Sequence, residues 1–179
     1  GFVLTIPSSG VFVQTVNLPA IALRNLDEAA ELNVRMVSPL RRGEFYCDWQ
    51  RVRRDEAEGG PIELLGVFVS RETIDSFADC FRAADLSLVA IEFTSLSLVR
   101  LLANKKFTQP MKPYLVAEIR PEGTTFMLVF NNQLLFHSFH GWGSVPGGGS
   151  AVKLADFLAD LTGEINNISN FYLAHWGGA

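Results

Sequence analysis

The chain has 179 residues, 48% of them hydrophobic and 19% charged, and carries a net charge of −4. That length supports one sizeable core or two small ones, and the acidic balance gives no bulk electrostatic attraction to nucleic acid or to an anionic membrane surface. Cys47 and Cys80, with no Cys-x-x-Cys and no Cys/His ladder around them, exclude a disulfide framework and a zinc site, and no run reaches the roughly 18–20 uncharged apolar residues of a membrane span.

Two lone cysteines fit a reducing compartment. The chain opens at Gly1, directly in an apolar strand without Met or a signal peptide, and reads as a fragment of a longer protein. Residues 2–6 (FVLTI) and 11–17 (VFVQTVN) predict strands, split by the turn signal Pro-Ser-Ser-Gly. Residues 25–37 predict a helix, with Asn25 as cap, Glu28 three on, and Leu26, Ala29, Ala30, Val34 and Val37 at helical spacing. Pro39 ends it. Residues 44–53 alternate as a strand, DEAEGG at 55–60 reads as a hairpin loop, and 62–69 (IELLGVFV) is the next strand. The arginines at 41–42 and at 51, 53 and 54 sit beside these turns and read as solvated hairpin ends.

Ser70 is placed to cap a helix over 71–84, with Ile74, Phe77, Ala78 and Phe81 on one face, and 86–93 is a further strand. From residue 11 the order is strand, helix, strand, strand, helix, strand, which is that of a ferredoxin-like subdomain. A helix at 95–103 precedes a Lys-rich, Pro-bounded connector, NKKFTQPMKP at 104–113, which marks a boundary. Strands at 114–119, 124–130 and 134–140 follow as an antiparallel meander. The loop GWGSVPGGGS (141–150) then leads to a long helix, with Ser150 as its cap, reaching Trp176. In that helix Leu154, Leu158, Leu161, Ile165, Ile168, Tyr172 and His175 form one stripe, predicted to face the sheet or a partner helix.

Few residues offer chemistry. His137 and His140, three apart on one strand, point to opposite faces and cannot share an ion. His175 continues the apolar stripe, and no Ser/His/Asp or Cys/His spacing appears. GWGSVPG departs from G-x-G-x-x-G at Pro146, and no Gly-Lys-Ser/Thr exists. GGGS has the composition of a flexible linker. The hairpin 116–130, VAEIRPEGTTFMLVF, is the remaining candidate. Gly123, Thr124 and Thr125 could supply amides and hydroxyls to a phosphate, and Glu118 a carboxylate to Mg²⁺. Against this, Arg120 and Pro121 occupy the turn, and Pro121 has no amide; an ordinary β-turn is the alternative.

In order along the chain, VFVQTVNLP (11–19), FYCDWQRV (45–52), FADCFRAADLSLVAIEFTSLSLVRLL (77–102), YLVAEIRPEGTTFMLVFNNQLLF (114–136) and EINNISNFY (164–172) resemble the PilM-type, actin-like proteins of type IV pilus assembly. The resemblance implies an α+β fold. Residues 1–103 would be a ferredoxin-like inserted subdomain, with strand 2–6 orphaned from a missing lobe, and 104–113 a connector. Residues 114–179 would be a truncated actin-like (RNase H-like) lobe. It also implies a cytoplasmic scaffold, peripheral to the inner membrane, that binds the N-terminal peptide of a PilN-type bitopic partner without inserting in the membrane itself. A homodimer is a further expectation. The alternatives are an actin-like ATP-binding protein using Glu118, Gly123, Thr124 and Thr125, and the related cytoplasmic component of type II secretion. The family's first phosphate loop and adenosine-side motif have no counterpart in these residues, and Glu118-Ile119-Arg120 stands where the family has Asp-Ile-Gly. No cofactor is therefore expected for this chain; ATP and Mg²⁺ are left to a full-length parent, and no catalytic or metal-binding residue is assigned.

Overall fold

A computed structural model describes residues 1–52, 61–109, 111–145 and 152–176. The elements are β1 (Phe2–Ile6), β2 (Val11–Leu18), α1 (Leu26–Met36), β3 (Phe45–Val52), β4 (Ile62–Ser70), α2 (Arg71–Ala83), β5 (Leu88–Phe93), α3 (Thr94–Asn104), β6 (Tyr114–Arg120), β7 (Gly123–Phe130), β8 (Gln133–Gly141) and α4 (Leu154–Trp176), with short 3₁₀ turns at 8–10, 20–25 and 142–144. The expected loop at 55–60, the GGGS segment and the Ser150 cap lie outside the described residues. Asn25 and Ser70 do stand at helix N-cap positions, but neither side chain makes a capping bond.

β4 reads Ile-Glu-Leu-Leu-Gly-Val-Phe-Val-Ser, apolar at almost every position, so both of its faces need cover. It is the middle strand of an antiparallel sheet ordered β2-β4-β3. Ile62, Leu64 and Phe68 meet Ala30 and Val34 of α1 in one core cluster. Gly66 lets the helix approach, since a Cβ there would stand 3.0 Å from Val34 Cγ1. Leu65 and Val69, on the other face, join a larger core with Ile74 and Phe77 of α2.

The expected four-stranded ferredoxin-like sheet is not formed; the sheet has three strands, β2-β4-β3, with α1 and α2 on opposite faces. The fourth strand, β5, pairs instead with β1, parallel, from Val3↔Ala90 to Ile6↔Phe93. The reason is physical. β2 lies against β8, while β1 offers β5 backbone partners and buries Ile6 beside Phe93 in the larger core. Strand 2–6, separated from the lobe that the resemblance would give it, thus pairs elsewhere, with β5.

β6, β7 and β8 form the predicted meander. Both turns have two residues, Pro121-Glu122 and Asn131-Asn132. The asparagines take φ of 49° and 62°, the left-handed pair of a tight hairpin turn that asparagine tolerates. β7 is buried from Gly123 to Val129. Its Leu128 lies opposite Phe136, which packs on Phe171 of α4. Met127 lies opposite His137, whose ring meets Phe93 on the other side. The predicted stripe of α4 divides: Leu161, Ile168 and Tyr172 pack inward, whereas Leu154 and Leu158 are 70% and 49% exposed. Leu154 and Leu158 lie in the first turns of α4, at the N-terminal end of the stripe, before the packed stretch begins.

Gly123 has no room for a side chain: a Cβ would lie 2.1 Å from the His140 carbonyl oxygen and 2.8 Å from Gly141 Cα. Backbone cannot yield as a flexible side chain does. Gly123→Val is expected to lower unfolding free energy by roughly 3 kcal/mol or more, read from the urea midpoint; a change under about 1 kcal/mol would contradict this packing.

Candidate functional site

The hairpin β6–β7 places the four expected residues in register. Glu118 lies opposite Thr125, which faces Phe139; Thr124 lies between Ile119 and His140. Strand alternation sends Thr124 and Thr125 to opposite faces of the sheet, and both are buried. Thr124 Oγ1 has no hydrogen-bond partner among the described residues. Glu118 Oε1 accepts from Arg120 Nε at 2.7 Å, while Oε2 is buried without a partner.

The turn itself is closed from outside. The Trp142 amide donates to Glu122 O at 3.3 Å and its indole Nε1 to Arg120 O at 3.0 Å. Pro121 has no N–H, and the backbone of His140 and Gly141 fills the space beside Gly123. A phosphate needs several donors aimed at one point. Here one hydroxyl faces α4, the other shares the opposite face with a carboxylate, and the turn presents carbonyls already bonded. By themselves these residues do not fit a Mg²⁺-phosphate group.

The histidines divide as their spacing predicts. His140 faces α4, with Nδ1 3.8 Å from Asp160 Oδ1 and Nε2 3.6 Å from Glu164 Oε2. His137 is buried on the other face, its Nε2 without a partner among the described residues, and burial pushes its pKa down to about 4. His175 Nδ1 lies 2.9 Å from Phe171 O within α4. Among the described residues no group of three potential ligands could hold a metal ion.

A concavity lies elsewhere, where the second face of the β2-β4-β3 sheet meets β5. This groove encloses about 560 Å³. Leu65, Val67 and Val69 of β4 and Ile74 of α2 supply apolar lining, residues 46–50 of β3 border it, and so does every residue of β5. Among the described residues β3 is an edge strand and β5 pairs with β1 alone, so each retains an unpaired side there. Tyr46 is held in place: its hydroxyl donates to Asp75 Oδ1 at 2.9 Å and accepts from Arg71 Nη1 at 3.1 Å, with the guanidinium 4.3 Å over its ring. Across the groove Glu92 accepts from Ser97 Oγ and pairs with Arg100. Sequence reasoning names none of these as site residues. Their only signal is the doubly apolar β4, and it becomes a groove only because β5 leaves that sheet.

No family model matches the sequence, and no curated protein matches it. Solved structures do. A chain of a PilM-PilN type IV pilus biogenesis complex superposes with a TM-score of 0.73 at 16% identity, over 97% of this chain and 59% of its own. The cytoplasmic domain of EpsL, an inner membrane component of the type II secretion system of Vibrio cholerae, gives 0.52 at 11% identity, over 79% of this chain and 50% of its own. A Bacteroides thetaiotaomicron protein with an actin-like ATPase fold and unknown function gives 0.50 at 12%, over 93% and 54% respectively. The chain thus has the fold of PilM-like, actin-like proteins, and spans between half and three-fifths of each neighbour.

His137 carries a pH dependence. Unfolded, a histidine takes a proton near pH 6.5; folded, His137 does so only near 4. Between these values the unfolded chain binds more protons, so this contribution is complete above pH 6.5 and is lost as pH falls toward 4. His137→Leu is expected to remove about 2 kcal/mol of the stability difference between pH 7 and pH 5. Urea unfolding of both proteins at the two pH values checks it; identical losses would show that His137 is not held neutral.

Proposed function

We propose that this chain is a scaffold module of a type IV pilus inner-membrane platform, binding a short extended peptide of a membrane partner in the groove between β3, β4 and β5. The observation that carries the reading is the pairing of an apolar floor with two unpaired strand sides. Such a site can take an extended peptide by main-chain hydrogen bonds, with its alternate side chains set into the floor. The structural likeness to a protein solved as a PilM-PilN complex supports a PilN-type partner, and with it a cytoplasmic position, peripheral to the inner membrane through that partner. In this reading residues 1–103 form the partner-binding unit, 104–113 the connector, and 114–179 part of an actin-like lobe interrupted by the Gly-rich segment 141–150.

A type II secretion platform is the second reading, favoured by the EpsL likeness; the gene neighbourhood separates the two. An ATP-binding role through Glu118, Gly123, Thr124 and Thr125 rests on the likeness to an actin-like ATPase fold and on the unpartnered Glu118 oxygen.

Calorimetry tests these readings. The N-terminal peptide of the PilN-type protein encoded nearby is expected to bind with micromolar affinity. Ala90→Trp, which fills the groove from β5, should weaken it at least about tenfold, or about 1.4 kcal/mol, without altering the melting temperature. Undiminished peptide binding by that variant would move the site off the groove. Heat from Mg-ATP at micromolar concentration would promote the nucleotide reading.

A further inference from the structure

We propose that the segment following α3 is an anchor for an anionic lipid surface, with Phe107 and Met111 entering the headgroup region and Lys105, Lys106 and Lys112 meeting lipid phosphates. The helix ends in a two-bond αL cap: the Lys106 amide donates to Ala103 O at 3.0 Å and the Phe107 amide to Leu102 O at 3.0 Å, with Lys106 at φ 58°. Two features of this cap are unusual. The left-handed position normally holds glycine, which adopts it without strain; here it holds a lysine. The residue after it normally packs back on the helix; Phe107 is instead 72% exposed.

The exposure is built. Thr108, the next residue, is buried and donates from Oγ1 to Asn132 Oδ1 at 2.9 Å, and the Gln109 amide donates to Tyr114 Oη at 3.0 Å. These bonds pin the segment to the meander while Phe107 points away, and Met111 is 64% exposed on the same connector. The charge is segregated too. The connector carries Lys105, Lys106 and Lys112 and no acidic residue, while Arg100 upstream is paired with Glu92, within a chain whose net charge is −4. Bulk charge therefore hides a cationic segment. Exposed apolar side chains flanked by lysines, whose stems can lie along the same surface, are what a lipid interface with negative headgroups binds. An acidic protein would need the cations but would leave Phe107 and Met111 unmatched, so the lipid is favoured. This proposal does not depend on the peptide groove.

Vesicle flotation of the whole chain tests it, with phosphatidylcholine alone and with added phosphatidylserine. The chain is expected to float with the anionic vesicles, to stay behind with the neutral ones, and to be released by salt. Phe107→Ser and the double variant Lys105→Glu, Lys106→Glu should each lower the partition coefficient about tenfold, with unchanged melting temperatures because these residues are exposed. No flotation with anionic vesicles, or equal flotation by the variants, would overturn it. So would variants that float normally but lose binding to an acidic partner peptide, since the surface would then belong to a protein.

Discussion

β7 is buried from Gly123 to Val129, so the sheet it centres has to be covered on both sides, and the way that cover is supplied arranges the rest of the molecule. On one side lies α4, through Ile168 and Phe171. On the other lie Phe93, where β5 meets α3, and the strand β2. Because β1 and β5 are drawn into this second cover, β5 leaves the sheet that its place in the chain would assign to it. The second face of β4 is then only partly roofed, and the groove is the part left open.

The same constraint explains why the hairpin is poorly suited to a phosphate. Burying both faces of β7 commits Thr124 and Thr125 to opposite interiors, and Gly123 is needed for close backbone approach to His140. The Trp142 bonds to Arg120 O and Glu122 O close the turn with its carbonyls already satisfied. Of the small residues in this turn, Gly123 is one that backbone packing itself requires. Glu118 Oε2 and Thr124 Oγ1 remain as buried polar atoms without partners among the described residues, and each is a local cost that the surrounding apolar burial outweighs.

Groove and cationic segment are linked by α3: Arg100 borders the groove, and the same helix ends in the cap that turns Phe107 outward. The two surfaces are nevertheless chemically distinct. One has an apolar floor and strand sides, the other protruding apolar side chains among lysines.

Much of the architecture was legible in the amino-acid order, because it depends on local physics. The doubly apolar IELLGVFV, the two tight turns of the meander, the helical spacing of 71–84 and the opposed faces of His137 and His140 follow from side-chain periodicity and turn chemistry. The ordered likeness to PilM-type proteins agrees with the fold. What the tertiary structure alone decided was which edges pair and which faces are shared. Backbone hydrogen bonding is the same for any strand sequence, so nothing in LVAIEF says that β5 will choose β1 over β2. Nor does the spacing of Leu154 and Leu158 reveal that the packed stretch of α4 begins only after them. The groove exists only through those choices, so no residue in it could be named from sequence.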